Sequence, residues 1–233
     1  MWMSWKMKST SIDIVGLKKR YGKRDILKGV SLSIEFGSCI GILGGNGSGK
    51  TTILSILAGV TDADEGEFIC EGYDLLKDDK RRRFVVGIIP QKNPLIEELS
   101  AKDNLLLWHD RKYLDISAKD GIIRDLGVTK FINKKVSTLS DGMKKRLSIA
   151  CAVKKHSKIL LMDEPSAALD IAAKEVIHEY IKKFTAMGGI VILVTHDEGE
   201  LNLCDRYYIL KDGVLIDYRF DGDIKNLAKL IGD

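Results

Sequence analysis

The sequence predicts an α/β fold in one domain: a core with a mostly parallel sheet, an N-terminal antiparallel β subdomain and an inserted helical subdomain. Three observations carry this. Four apolar runs, CIGILG (Cys39 to Gly44), FVVGIIP (Phe84 to Pro90), KILLMD (Lys158 to Asp163) and IVILVT (Ile190 to Thr195), are short and end in a polar residue or a turn, as buried parallel strands do. Val30, Leu32, Ile34 and Phe36 alternate with Ser31, Ser33 and Glu35, the period of a half-buried strand. Pro94 to Ala152 has helical periodicity and no buried-type strand.

Taken in order, Ile12 to Leu17 pairs with the alternating strand to make the antiparallel sheet. Cys39 to Gly44 runs into glycines and then opens a helix, KTTILSILAG. The basic run Lys77-Asp78-Asp79-Lys80-Arg81-Arg82-Arg83 reads as a solvated helix face. The helical subdomain covers about residues 94–152 of the single domain 1–233. Within it Ser117 suits a helix N-cap and Gly127 a helix stop. Asp212-Gly213 between RYYILK and VLIDYR predicts a hairpin with a type I′ turn. A short amphipathic tail with Ile224, Leu227, Leu230 and Ile231 follows.

Composition narrows the function classes. The chain has 233 residues, 45% hydrophobic and 30% charged, enough to bury a core. Its net charge of +4, from 37 basic and 33 acidic residues, is too even to announce a nucleic-acid binder. Cys39, Cys70, Cys151 and Cys204 are scattered without a C-x-x-C pair, which fits buried thiols in a reducing compartment. No apolar run is long enough to span a bilayer, and the first residues lack a signal-peptide core.

Gly44-Gly45-Asn46-Gly47-Ser48-Gly49-Lys50-Thr51 fits the P-loop pattern G-x-x-x-x-G-K-[ST], with a strand before it and a helix after it. Glycines let backbone N–H groups converge on phosphate oxygens, and the helix dipole adds to the attraction. Lys50 supplies a point charge to the terminal phosphates, and the Thr51 hydroxyl suits Mg²⁺. Gly44, Asn46, Gly47, Ser48, Gly49, Lys50, Thr51 and Thr52 form the expected phosphate-binding set of a P-loop NTPase core. Asp163 and Glu164 sit at the end of a strand. Alone they read equally well as a surface acidic pair. Beside a P-loop, Asp163 is expected to hold Mg²⁺ and Glu164 to polarise the attacking water.

With these elements in this order, the chain resembles the nucleotide-binding domains of ABC transporters from about Ile12 to Ile216. The resemblance implies ATP and Mg²⁺ as ligands and adds residues one by one. Tyr21, in KKRYGK, matches the aromatic that stacks on adenine. Gln91, in GIIPQK, matches the loop glutamine that touches Mg²⁺ and faces the membrane partner. Ser140 and Gly142, in LSDGM, match the signature motif LSGGQ, with Asp141 in place of a glycine and Met143 in place of glutamine. Asp170 matches the dimer-interface aspartate after the catalytic glutamate. His196, in LVTHD, matches the histidine at the γ-phosphate.

The family mechanism implied is a head-to-tail pair of such domains, identical or different, closing around two ATP molecules. Each ATP lies between one chain's P-loop and the other's signature motif, and closure drives a separate integral membrane subunit. That would place the chain at the cytoplasmic face of a membrane, held by its partner. LSDGMKKRLSIACA, Ile96-Glu97-Glu98-Leu99-Ser100 and HDEGELNLCDR look like ATPase subunits of the drug-export type. Two alternatives stay open: a soluble ABC-type ATPase acting on nucleic acid or ribosomes, and a module that binds ATP without hydrolysis. Asp141 either opposes the partner's γ-phosphate or faces solvent and caps the signature helix.

Overall fold

The computed structural model describes residues 10–119 and 121–219. Ser11–Tyr21 (β1) and Arg24–Glu35 (β2) are long antiparallel strands, joined in one sheet by Glu65–Cys70 (β4) and Tyr73–Asp74 (β5) in the order β2-β1-β4-β5. The second sheet holds Cys39–Leu43 (β3), Val86–Ile89 (β6), Ile159–Asp163 (β7), Ile190–Val194 (β8), Arg206–Lys211 (β9) and Val214–Tyr218 (β10). Its order is β10-β9-β3-β8-β7-β6, parallel throughout except where β10 folds back on β9. The antiparallel N-terminal sheet and the mostly parallel core are therefore as expected.

Period two in β7 and β8 divides the interior. Ile159, Leu161, Ile190, Ile192 and Val194 face a core shared with the antiparallel sheet and the helix Lys50–Ala58 (α1). Leu160, Met162, Val191 and Leu193 face a second core. That core also holds Asp141–Ala152 (α6), Ile171–Ala186 (α7) and the segment between β6 and β7. This segment carries Ala101–Leu106 (α3), Arg111–Lys119 (α4) and Ile122–Asp125 (α5), with no strand among its described residues. Strands buried on both faces have no room for polar alternation, which is why these runs read as unbroken apolar stretches.

Local chemistry explains the turns. Asp212 and Gly213 both have positive φ, 52° and 83°, as a type I′ hairpin requires. Gly127 has φ 64° just past α5, the left-handed stop expected of it. Three expectations need correction. Ser117 lies inside α4 and not at a helix start; α5 opens after Gly121 instead. Phe84 and Val85 belong to Asp79–Val85 (α2), so the strand in FVVGIIP begins only at Val86. Arg82 of the basic run is buried: its Nη1 donates to the Ile56 carbonyl near the end of α1, and its guanidinium pairs with Asp79. A helix C-terminus attracts a cation, and that draws this one arginine out of the solvated face.

The four cysteines are free thiols, three of them buried, with Cys39 and Cys204 sulfurs 3.8 Å apart. The amphipathic tail from Ile224 to Ile231 lies outside the described residues.

Candidate nucleotide site

The C-terminal ends of β3, β6, β7 and β8 bring the predicted residues to one edge, where ligands collect in open α/β sheets. After β3 the chain turns through Gly47 at φ 78° and Gly49 at φ 109°, both left-handed. A side chain at Gly44 would press within 2.6 Å of the Leu210 carbonyl oxygen, and one at Gly49 within 2.8 Å of Ile26. The loop is thus wound as tightly as glycine allows. It delivers the start of α1, which has no acidic residue in its first turn and no side-chain cap on its N–H groups. Those donors, with the helix dipole, are left for an anion.

Lys50 opens α1 and is buried. Its Nζ donates to the Gly44 and Gly45 carbonyl oxygens at 2.7 and 2.9 Å, so the ammonium is held over the loop. Burial pushes its pKa down, while the Asp163 and Glu164 carboxylates favour its charge. Thr51 Oγ1 donates to Asp163 Oδ2 at 2.9 Å. Burial pushes the Asp163 carboxyl above the usual carboxylate range; the Thr51 hydrogen bond works against that, and neighbouring Glu164 adds to it. A hydroxyl and a half-buried carboxylate this close are hard oxygen donors that fit Mg²⁺, and a cation there would relieve the crowding of acidic groups.

Glu164 has φ 45°, a left-handed conformation that strains a non-glycine residue and often marks a working site. Its amide donates to the Val194 carbonyl at 2.8 Å, so the backbone is pinned to β8. Gln91, just past β6, donates from Nε2 to Glu164 Oε2 at 2.7 Å. His196 follows β8 and is exposed. Asp197 next to it caps the short helix Glu198–Leu201 (α8) and pairs with Lys174 on α7. Tyr21 ends β1 with half its surface exposed, and Lys19 lies 5.4 Å from its ring centre.

The signature residues are arranged differently. Ser140, not Asp141, is the N-cap of α6: its hydroxyl accepts from the Met143 amide at 3.3 Å. Asp141 is the first helical residue and is exposed. Gly142 is buried against the start of α7, where a Cβ would meet that of Ala173 at 2.5 Å. Asp170 caps α7 by accepting from the Ala173 amide at 2.8 Å. So Lys50, Thr51, Gln91, Asp163 and Glu164 are brought together, whereas Ser140, Gly142 and Asp170 gather where α6 meets α7.

Sequence reasoning missed Lys145 and Glu200. Lys145 looked like one more cation on a basic helix; it is buried, and its Nζ donates to the Pro90 and Gln91 carbonyls at 3.0 and 2.9 Å. Asp197-x-x-Glu200 has the wording of a capping box, which would leave the glutamate at the helix surface. Only the packing of α8 shows that it is buried.

Residues 27–167 match the family model described as ABC transporter. The linearmycin resistance ATP-binding protein LnrL of Bacillus subtilis (strain 168) is 35% identical over 205 residues, covering 86% of this chain and 66% of that protein. The Nod factor export ATP-binding protein I of Rhizobium sp. (strain N33) is 35% identical over 215 residues, covering 89% and 70%. The chain therefore spans about two thirds of the length of these relatives. Among solved structures, a dimeric ATP-binding cassette in a post-hydrolysis state with ADP and Pi superposes with a TM-score of 0.78 at 28% identity. The match covers 89% of this chain and 98% of that one. P-loop, paired carboxylates, loop glutamine and signature helix occur here together on this fold, and with these matches they show that the chain belongs to the ABC transporter family, as an ATP-binding cassette.

Proposed function

We propose that the chain hydrolyses ATP and couples the resulting closure and release of two cassettes to a separate membrane subunit of exporter type. The observation that carries this is the convergence of Lys50 on the P-loop carbonyls, Thr51 on Asp163 and Gln91 on Glu164 at one edge of the sheet. Phosphoryl transfer asks for little beyond positioning and charge stabilisation, and these contacts supply both.

The loop from Gly44 to Gly49, with Thr52, wraps the phosphates, and Lys50 turns from the carbonyls to the terminal phosphate oxygens. Tyr21 stacks on the adenine. Mg²⁺ held by Thr51, Asp163 and Gln91 would neutralise charge on the phosphates. Glu164 orients a water in line with the γ-phosphorus and takes its proton as the new P–O bond forms and the bond to the ADP oxygen breaks. His196 touches the γ-phosphate. Ser140 and Gly142 present the start of α6 to the nucleotide of a second cassette, and Asp170 lines the same seam. Among the described residues no helix is long and apolar enough to cross a membrane, and in this reading a separate subunit supplies the spanning part. The relatives' names speak of export and resistance, which supports an exporter whose substrate is selected by the membrane subunit.

Steady-state hydrolysis by the chain with its membrane partner is the test. Glu164→Gln should lower kcat by roughly 100- to 10,000-fold, the range of a lost general base, while nucleotide still binds. Turnover that survives Glu164→Gln would remove the assignment of that residue.

A further inference from the structure

Behind the reaction centre lies a group that this mechanism does not use. Glu200, on α8, is completely buried. Neither of its carboxyl oxygens, nor the Ser166 hydroxyl, has a hydrogen-bond partner at good geometry. Ser166 and Thr195 are buried as deeply. Burial pushes the Glu200 carboxyl above the usual carboxylate range, and the nearby Ser166 and Thr195 hydroxyls work against it. A carboxyl in such a place is costly unless its surroundings compensate.

Each neighbour leads to a residue of the centre. Ser166 lies two positions after Glu164, and Thr195 directly precedes His196. A third group, Lys145 of α6, is linked to Glu200 through charge. Burial works against its charge, and of the carboxylates that favour it, Glu200 acts most strongly, ahead of Asp163 and Glu164. Lys145 holds the backbone of Gln91, and the Gln91 side chain holds Glu164. Hydrogen bonds therefore run from Lys145 through Gln91 to Glu164, and on the other side the Thr195 hydroxyl accepts from the Asp197 amide while the Asp197 carboxylate accepts from the Glu200 amide, tying α8 to the chain beside His196. Five elements meet around these residues: the ends of β6, β7 and β8, and helices α6 and α8.

We infer that Glu200 is a positioning residue for hydrolysis, holding the Glu164, Gln91 and His196 segments in one arrangement from behind while offsetting the buried Lys145 ammonium. The inference rests on reading the site as an ATPase centre. Glu200 itself touches no nucleotide. A displacement of about 1 Å at a reacting group is enough to cost on the order of 100-fold in rate, so a remote clamp can matter to turnover.

The experiment measures MgATP turnover by the full chain with its membrane partner, with rates normalised to bound nucleotide so that unfolded protein does not count. Glu200→Gln keeps the shape and removes the charge. Its kcat should fall about 10- to 100-fold. KM for ATP should stay within about two-fold, because Lys50 and Thr51 are untouched. Lys145→Met should lower kcat in the same way, and adding it to Glu200→Gln should cost little more, since the two charges no longer offset each other. Parent-like turnover per bound nucleotide in Glu200→Gln overturns the inference. If that variant does not fold, Ser166→Ala and Lys145→Met decide: parent-like turnover in both overturns it equally. Glu164→Gln run alongside separates the two failures. Retained turnover there refutes the general base, whereas lost turnover there with normal kcat in Glu200→Gln refutes only the positioning role.

Discussion

Asp141 stands where a phosphate-facing turn favours glycine. The structure divides its two possible effects. Ser140 takes the capping role, so Asp141 is not needed to close the helix start. As an exposed first-turn residue it still gains from the helix dipole, by about 0.3–1 kcal/mol. The same dipole is what a partner's γ-phosphate would use, and a carboxylate beside it competes for that field. Asp141→Gly should therefore lower the thermal midpoint slightly while keeping or raising ATP hydrolysis in the assembled transporter. A large loss of hydrolysis would mean that the carboxylate is required at the seam. At this scale the sequence was informative where chemistry depends on local spacing. Lys50, Thr51, Asp163 and Glu164 follow one another along strand-to-loop edges, and their contacts can be anticipated. Lys145 and Glu200 take their meaning from what packs on them, across 54 residues for Lys145 to Gln91, and no local pattern announces that.

Helix α6 works as a beam between loops. Lys144 pairs with Glu97 at 2.7 Å, Lys145 holds the Pro90 and Gln91 carbonyls, and Gly142 rests on Ala173 of α7. The last contact is the tightest, since an added methyl would meet the Ala173 Cβ at 2.5 Å. Gly142→Ala should force α6 and α7 apart and lower stability by about 1–3 kcal/mol, the usual cost of overpacking. Ala173→Gly in the same chain should restore most of it, as read from urea midpoints of parent, single and double variants. An equal loss in the double variant would place the strain elsewhere. The elements themselves were largely legible because strands buried on both faces leave unbroken apolar runs. The errors fell at boundaries. Val85 is apolar and β-branched, so it reads as strand, yet α2 carries on to it through the Asp78 cap and the buried Arg82 anchor. Ser117 has capping chemistry, but Asp110, whose side chain accepts from the Tyr113 amide, already marks the start of α4.

For the whole molecule, the question is what completes a site left open on one side. Asn46, Gly47, Thr51, His196, Ser140 and Asp170 are exposed. Ile171, next to Asp170, is 87% exposed, the most of any large apolar residue described. Its side chain stands beside the Asp170 cap, where a surface closing over this seam would meet it. A second cassette in head-to-tail arrangement would cover it and bring Ser140 and Gly142 to the first chain's nucleotide. A γ-phosphate bridging the two would then hold them together, and its hydrolysis would release them, because only the triphosphate would contact both surfaces. A chain that binds ATP without cleaving it should consequently stay closed. Glu164→Gln with MgATP is expected to sediment at twice the monomer mass, and with MgADP as a monomer. Ile171→Glu added to it should return the protein to monomer with ATP still bound, since a charge buried without a partner opposes closure. A monomer at every ATP concentration in Glu164→Gln would mean that the surface completing this site belongs to a different chain.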